Sequence, residues 1–186
     1  MNKALWKLIF TLFALALFSE AHAYGVLDTA IVTVEMPAGW KMAAITRKPG
    51  YVATTYTQIV EKGARAQSFT EIELKKEMGR DATTVINEMA MRIAKQVTIQ
   101  HCDIGDLEKL PQPDNLFNLW EQRMQCKSSE SGIIQWYLDV DPVTTYLFTY
   151  TLPVYPFTDQ DHAAAITMLK KAIGVCYKDK PCTVIQ

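Results

Sequence analysis

The chain reads as an α+β protein in which an antiparallel β-sheet is flanked by helices. Three observations predict this class. Short β-branched and aromatic segments of alternating polarity fill residues 31–74 and return over 116–152. From Asp81 the apolar spacing changes to every fourth residue. A second helical stretch, carrying signals at both ends, follows Thr158.

Ile31-Val32-Thr33-Val34-Glu35-Met36 alternates and stops at Pro37-Ala38-Gly39, a strand followed by a tight turn. Trp40 to Arg47 reads as a second strand, and Pro49-Gly50 turns the chain. Tyr51 to Val60, rich in Val, Thr, Tyr and Ile, is the third, ended by Lys62-Gly63. Gln67 to Leu74 is the fourth, with Phe69 and Glu71 on one face and Thr70, Ile72 and Leu74 on the other.

Asp81 is an N-cap residue for a helix whose stripe is Val85, Met89, Ile93 and Val97, widened by Ile86 and Ala90. Asn87, Glu88, Arg92 and Lys95 fall opposite, so this helix lies on the sheet. Cys102 falls in a strand segment. Pro111 and Pro113 break a polar connection before three successive strands, Leu116 to Cys126, Gly132 to Val140 and Thr144 to Leu152. In the last helix Thr158 and Asp161 form a capping box with Asp in the place usually given to Glu. Asp159 and Asp161 sit at the positive end of the dipole and Lys170 and Lys171 at the negative end. Ile166, Leu169 and Ile173 make its buried stripe, and Gly174 is read as its left-handed stop.

Residues 1–23 read as a cleavable signal peptide. Lys3 and Lys7 precede the apolar run Leu8 to Phe18, which is shorter than the roughly 20 residues of a spanning helix and ends at Ala21-His22-Ala23. Cleavage there makes Tyr24 the mature N-terminus, and no cysteine near it offers a lipid-attachment site. The rest, 24–186, reads as a single domain. Its expected location is the periplasm, with secretion to the exterior as the alternative, and no stable membrane insertion follows cleavage.

Loss of Lys3, Lys7 and Glu20 takes the 19 basic residues to 17 and the 20 acidic residues to 19, a formal charge of −2. Nucleic-acid binding draws on clustered Lys and Arg, and no basic run is longer than a pair such as Lys75-Lys76 or Lys170-Lys171, which argues against a nucleic-acid partner. The four cysteines, Cys102, Cys126, Cys176 and Cys182, all follow the leader, so they read as disulfides of an oxidising compartment. Of the three pairings open to them, Cys102 with Cys126 and Cys176 with Cys182 is expected, since the close second pair flanks a turn and pins the C-terminal tail. The longer loop contributes roughly 3 kcal/mol in the chain-entropy account.

Strands opening with Val34-Glu35-Met36-Pro37-Ala38-Gly39-Trp40, a central amphipathic helix, three antiparallel strands and a closing helix together resemble the PsbP/Mog1/DcrB-like superfamily across nearly the whole mature chain. That resemblance implies a small sandwich of an antiparallel sheet and helices, and binding or assembly roles rather than catalysis. This chain departs from the envelope DcrB-like members in lacking a lipid-attachment cysteine and in its disulfide-bonded tail.

Catalytic constellations are sparse in the sequence. His101 and His162 are the two histidines after the leader. His101 is next to Cys102, but adjacent strand residues point to opposite faces, which separates a Cys/His pair. Cys176 and Cys182 are spaced too widely for a Cys-x2-Cys zinc knuckle. His162 is expected on the solvated first turn of its helix. Asp139 and Asp141 approach a carboxylate pair, though Asp141-Pro142 reads as turn chemistry. No glycine-rich phosphate loop, Gly-x-Ser-x-Gly or His-Glu-x-x-His occurs, so neither a cofactor nor a metal is expected. The aromatic residues of the last strands and the bend after them offer rigid contact area, with Tyr146, Tyr150, Tyr155 and Phe157 as candidate protein contacts. The expected function is a non-catalytic binding or scaffold subunit of an envelope assembly such as a secretion system. The alternative is a small-ligand binder or hydrolase with a cleft near His101 or His162.

Overall fold

The computed structural model describes residues 30–76, 80–98, 101–112, 117–177 and 182–185. The leader 1–23, Tyr24, the Pro113–Leu116 joint, Pro181 and the side chain of Val97 lie outside the described residues. The elements are β1 (Ile31–Val34), β2 (Trp40–Lys48), β3 (Tyr51–Gln58), β4 (Ser68–Lys75), α1 (Ala82–Thr98), β5 (Cys102–Leu110), β6 (Asn118–Cys126), β7 (Ser131–Asp141), β8 (Thr144–Leu152), α2 (Asp159–Ala172), β9 (Ile173–Cys176) and β10 (Thr183–Val184). This is an α+β architecture.

Seven strands form one sheet in the order β2-β3-β4-β8-β7-β6-β5, every neighbouring pair antiparallel. The registers carry the period-2 pattern across it. One face bears the rows Tyr56, Phe69, Tyr150, Ile134 and Thr54, Glu71, Phe148, Trp136, Glu121. The other bears Ala53, Ile72, Leu147, Tyr137, Trp120. On the first face α2 and the small sheet β1-β9-β10 cover a core containing Phe69, Phe148, Trp136, Leu138, Leu169, Ile173 and Val175. On the second, Ile86 and Ala90 of α1 pack on Trp120, Tyr137 and Leu147. β6, β7 and β8 are therefore buried on both sides along most of their length, with polar residues such as Glu121, Gln122, Gln135 and Thr145 among those enclosed.

The local chemistry explains the helix starts. Asp81 Oδ2 accepts from the Thr84 amide at 2.9 Å, and Thr158 exchanges its capping-box bonds with Asp161. The far end of α2 differs from the sequence reading. Gly174 does not end the helix in a left-handed cap; it sits within β9, opposite Thr33 of β1. Ile173 is already extended, with φ −109° and ψ 121°. Glycine suits the site because a Cβ there would stand 2.9 Å from Thr33 Oγ1. Pairing with β1 thus overrides the helix-stop signal, and of the predicted stripe Leu169 and Ile173 are buried while Ile166 is half-buried. β1 and β3 also end two residues earlier than the alternation predicts, at Val34 and Gln58.

Both cysteine pairs are bonded, Cys102 to Cys126 and Cys176 to Cys182. The first joins directly opposed residues of β5 and β6. The second ties β9 to the start of the β10 segment. No helix among the described residues is long and apolar enough to cross a membrane.

Candidate functional site

Among the described residues the candidate site chemistry lies at a buried carboxylate between β6 and α2 and at the exposed edge strand β2 on the far side of the sheet.

Glu121 lies on β6 between Glu108 of β5 and Trp136 of β7, on the face that α2 covers. It is only 5% exposed, so its charge needs compensation. Trp136 Nε1 donates to Oε2 at 2.8 Å, Arg123 Nε donates to Oε1 at 3.0 Å, and His162 Nε2 stands 2.8 Å from the same Oε1. Burial pushes the carboxyl up. The Trp136 and Arg123 hydrogen bonds and the contact with His162 outweigh it and hold Glu121 below its usual range. Such a carboxylate stays ionised with both oxygens occupied, the condition of a counter-ion rather than of a general base.

Beside it opens a cleft of about 240 Å³ lined by Glu108, Leu110, Arg123, His162 and Lys170 among others. A second cleft of about 310 Å³ lies over the β5 bulge, between Asp103, Gly105, Gln125 and the start of α2 at Asp159. Arg123 borders both and also reaches Asp159, at 3.4 Å. His162 is thus not a solvated side chain, as the sequence suggests, but a half-buried one: α2 begins over β6, so its first turn points inward at Glu121. No sequence signal links residues 41 positions apart.

His101 sits on the exposed turn before β5 with φ 55°, and its neighbour Cys102 is committed to the disulfide. Asp141 Oδ1 accepts from the amides of Val143 and Thr144 at 2.8 and 2.6 Å, so it shapes the β7–β8 turn, while Asp139 is paired with Lys76. Among the described residues no group of three or more His, Cys, Asp or Glu could hold a metal ion.

Of the four aromatic contact candidates, two lie away from the surface. Tyr146 and Tyr150 are buried, because β8 is an inner strand and both face the α2-covered core. Tyr146 stacks on Phe148, and Tyr150 packs beside Trp40 while its hydroxyl donates to Gln67. Phe157 is half-buried, its ring lying against Gly132, where any Cβ would collide with it. Tyr155 alone of the four is exposed, at 40%.

The larger accessible surface was not legible in the sequence. β2 is an edge strand, and every residue after Trp40 is exposed. The registers place Met42, Ile45 and Arg47 on the face shared with Tyr56, and Lys41, Ala44, Thr46 and Lys48 on the other. Met42 and Ile45 are 54% and 41% exposed. Among the described residues α1, α2 and the small sheet cover the β4 to β6 half, and of β2 only Trp40 packs against the core. The sequence signal was present as apolar residues mixed among cations, but it gains meaning only once the sheet order puts β2 at the rim.

The fold and site define an α+β protein with a seven-stranded antiparallel sheet, two disulfides and a bare edge ribbon. No protein-family model matches the sequence, and no curated protein matches it. Among solved structures it is similar to the crystal structure of LpqN, involved in cell envelope biogenesis of Mycobacterium tuberculosis, at 10% identity over 88% of each chain with a TM-score of 0.48. A likeness of that degree defines neither a family nor a role for this chain.

Proposed function

We propose that the chain is an exported, non-catalytic binding subunit that docks on a larger protein assembly of the cell envelope through its β2–β3 ribbon. The observation that carries this reading is the bare strand β2, open along its outer edge and on both faces, with Met42 and Ile45 turned to solvent. An exposed edge strand is a ready template for pairing, and folded proteins leave one uncovered at the risk of aggregation. Apolar side chains along it add the desolvating contact that interfaces are built on.

Two disulfides support an oxidising compartment, and the apolar leader-like start supports export to the periplasm. The element order supports membership of the PsbP/Mog1/DcrB-like superfamily, whose roles are largely in binding and assembly. Glu121, with both carboxylate oxygens engaged by Trp136, Arg123 and His162, supports a structural rather than a catalytic cluster. The rival reading, a small-ligand binder or hydrolase at the cleft beside His162, draws on Glu108, Arg123, His162 and Lys170 lining that cleft, where Glu121 already has both oxygens engaged.

A photo-crosslinking amino acid placed at Ile45, with another at the exposed Thr167 of α2 as control, tests the docking reading in intact cells. A single protein adduct at Ile45 and none at Thr167 is expected. Adducts at neither position, or equally at both, contradict it.

A further inference from the structure

We infer that the β2 edge accepts an acidic, extended segment of a partner protein as an additional strand of the sheet. This rests on the docking reading above and names the chemistry of the partner. In the sheet, β2 is hydrogen-bonded to β3 on one side, so the backbone N–H and C=O groups of its other side face outward. An extended peptide satisfies such groups with its own backbone, and its alternate side chains then meet the two faces of the strand. β2 carries one bulge, between Met42 and Ala44. Beyond it Ala44, Ile45, Thr46, Arg47 and Lys48 run in unbroken register with Thr55, Thr54, Ala53, Val52 and Tyr51, a regular stretch long enough to template another strand.

The charge on this stretch selects the occupant. Lys41, Arg47 and Lys48 are the charged residues of β2, and it has no carboxylate. Arg47 lies on the face of Met42 and Ile45, and Lys41 and Lys48 lie on the other, so an incoming strand meets a cation whichever face its side chains take. Pairing β2 with the β2 of a second copy would bring cations opposite cations, which is unfavourable. The opposite rim, β5, carries Asp103, Asp106 and Glu108 against Lys109, the complementary sign. Its own bulge between Ile104 and Leu107 cuts it into pieces shorter than the regular stretch of β2, so the β5 of a second copy is the poorer fit. What fits is a segment with carboxylates on both faces and an apolar side chain to lie on Met42 and Ile45.

Three labelled synthetic peptides matched to the length of β2 test this by fluorescence anisotropy against the disulfide-bonded chain: repeating Glu-Glu-Val-Val, which places carboxylates and apolar side chains on both faces of a strand, the same repeat with Lys for Glu, and the Glu peptide with a central proline. The Glu peptide is expected to bind at least roughly tenfold tighter than the Lys peptide. It should weaken in 1 M salt, where the screening length falls to about 3 Å. The proline peptide should lose binding because it lacks a strand donor. The triple variant Lys41→Glu, Arg47→Glu, Lys48→Glu, checked for an unchanged melting temperature, should reverse the order and prefer the Lys peptide. Equal binding of the Glu and Lys peptides, or none of the Glu peptide, overturns the inference. So does end-to-end self-association of the chain alone, abolished by the triple variant, because the occupant is then a second copy. The Ile45 crosslink separates the two levels: an adduct with no Glu-peptide preference removes the acidic strand and leaves the docking reading, whereas no adduct removes the docking reading itself.

Discussion

His162 Nε2 stands 2.8 Å from Glu121 Oε1, and this contact fastens the first turn of α2 to β6, one strand in from the rim strand β5. The same carboxylate takes the Trp136 indole N–H, so three separate elements meet on one charge. Removing it orphans a buried donor. Glu121→Leu is expected to destabilise the protein by about 2–3 kcal/mol, and Glu121→Gln, which keeps an acceptor for Trp136, by about 1 kcal/mol. Urea unfolding of the two variants checks this. Equal losses would show that the charge, rather than the hydrogen bond, holds the cluster.

Two carboxylates give opposite pH slopes. The folded pKa of Glu121 lies below its ordinary value, so its contribution is present above about pH 4.5 and is lost as the pH falls through the folded value. Glu71 on β4 is the reverse case. Burial first, and then the neighbouring Glu73, push it up to about 7 from 4.5, so the folded state holds the proton more tightly and stability falls as the pH rises between those values. Glu71→Gln should therefore stabilise the protein at pH 8 by about 1–2 kcal/mol, less than the full shift because the group keeps contact with solvent, and change little at pH 4. Thermal melts of the variant and the parent at the two pH values give the comparison; a gain at pH 4 equal to that at pH 8 would show that ionisation is not its source.

The two disulfides should differ in worth. Cys102 and Cys126 are 24 residues apart and Cys176 and Cys182 six. In the chain-entropy account the double substitution Cys102→Ala, Cys126→Ala costs about 3 kcal/mol and the tail pair about 2 kcal/mol. Denaturant midpoints read the difference, and a non-reduced digest reads the pairing. A peptide joining Cys102 to Cys176 would contradict the bonded arrangement.

Gly132→Val drives a side chain into the Phe157 ring and should cost about 1–3 kcal/mol. Adding Phe157→Ala should restore part of that loss. A Gly132→Val protein as stable as the parent would mean that the bend after β8 yields freely.

Much of this architecture was legible along the chain. The period-2 segments and turn residues located β2, β3, β4, β6, β7 and β8 within a few positions, and Asp81 and Thr158 marked both helix starts, because those signals are local. Gly174 misled because the sequence before it ends a helix well, while the pairing that makes it a strand residue comes from β1, 141 residues earlier. β5 was legible only around Cys102, since Asp103, Gly105, Asp106 and Glu108 dilute its alternation and a bulge shifts its phase. Tyr146 and Tyr150 looked like contact residues because residue type does not report which strand is central. The Glu121–His162 contact and the bare face of β2 both depend on sheet order, which no local pattern encodes.

Binding of another protein by β2 is tested most directly by native fractionation of envelope extracts. The parent chain should run in an assembly well above its own mass, and the Met42→Ser, Ile45→Ser double variant, with an unchanged melting temperature, should run as the isolated chain. Co-migration of parent and variant in the same large assembly, or of both as isolated chains, would contradict the account.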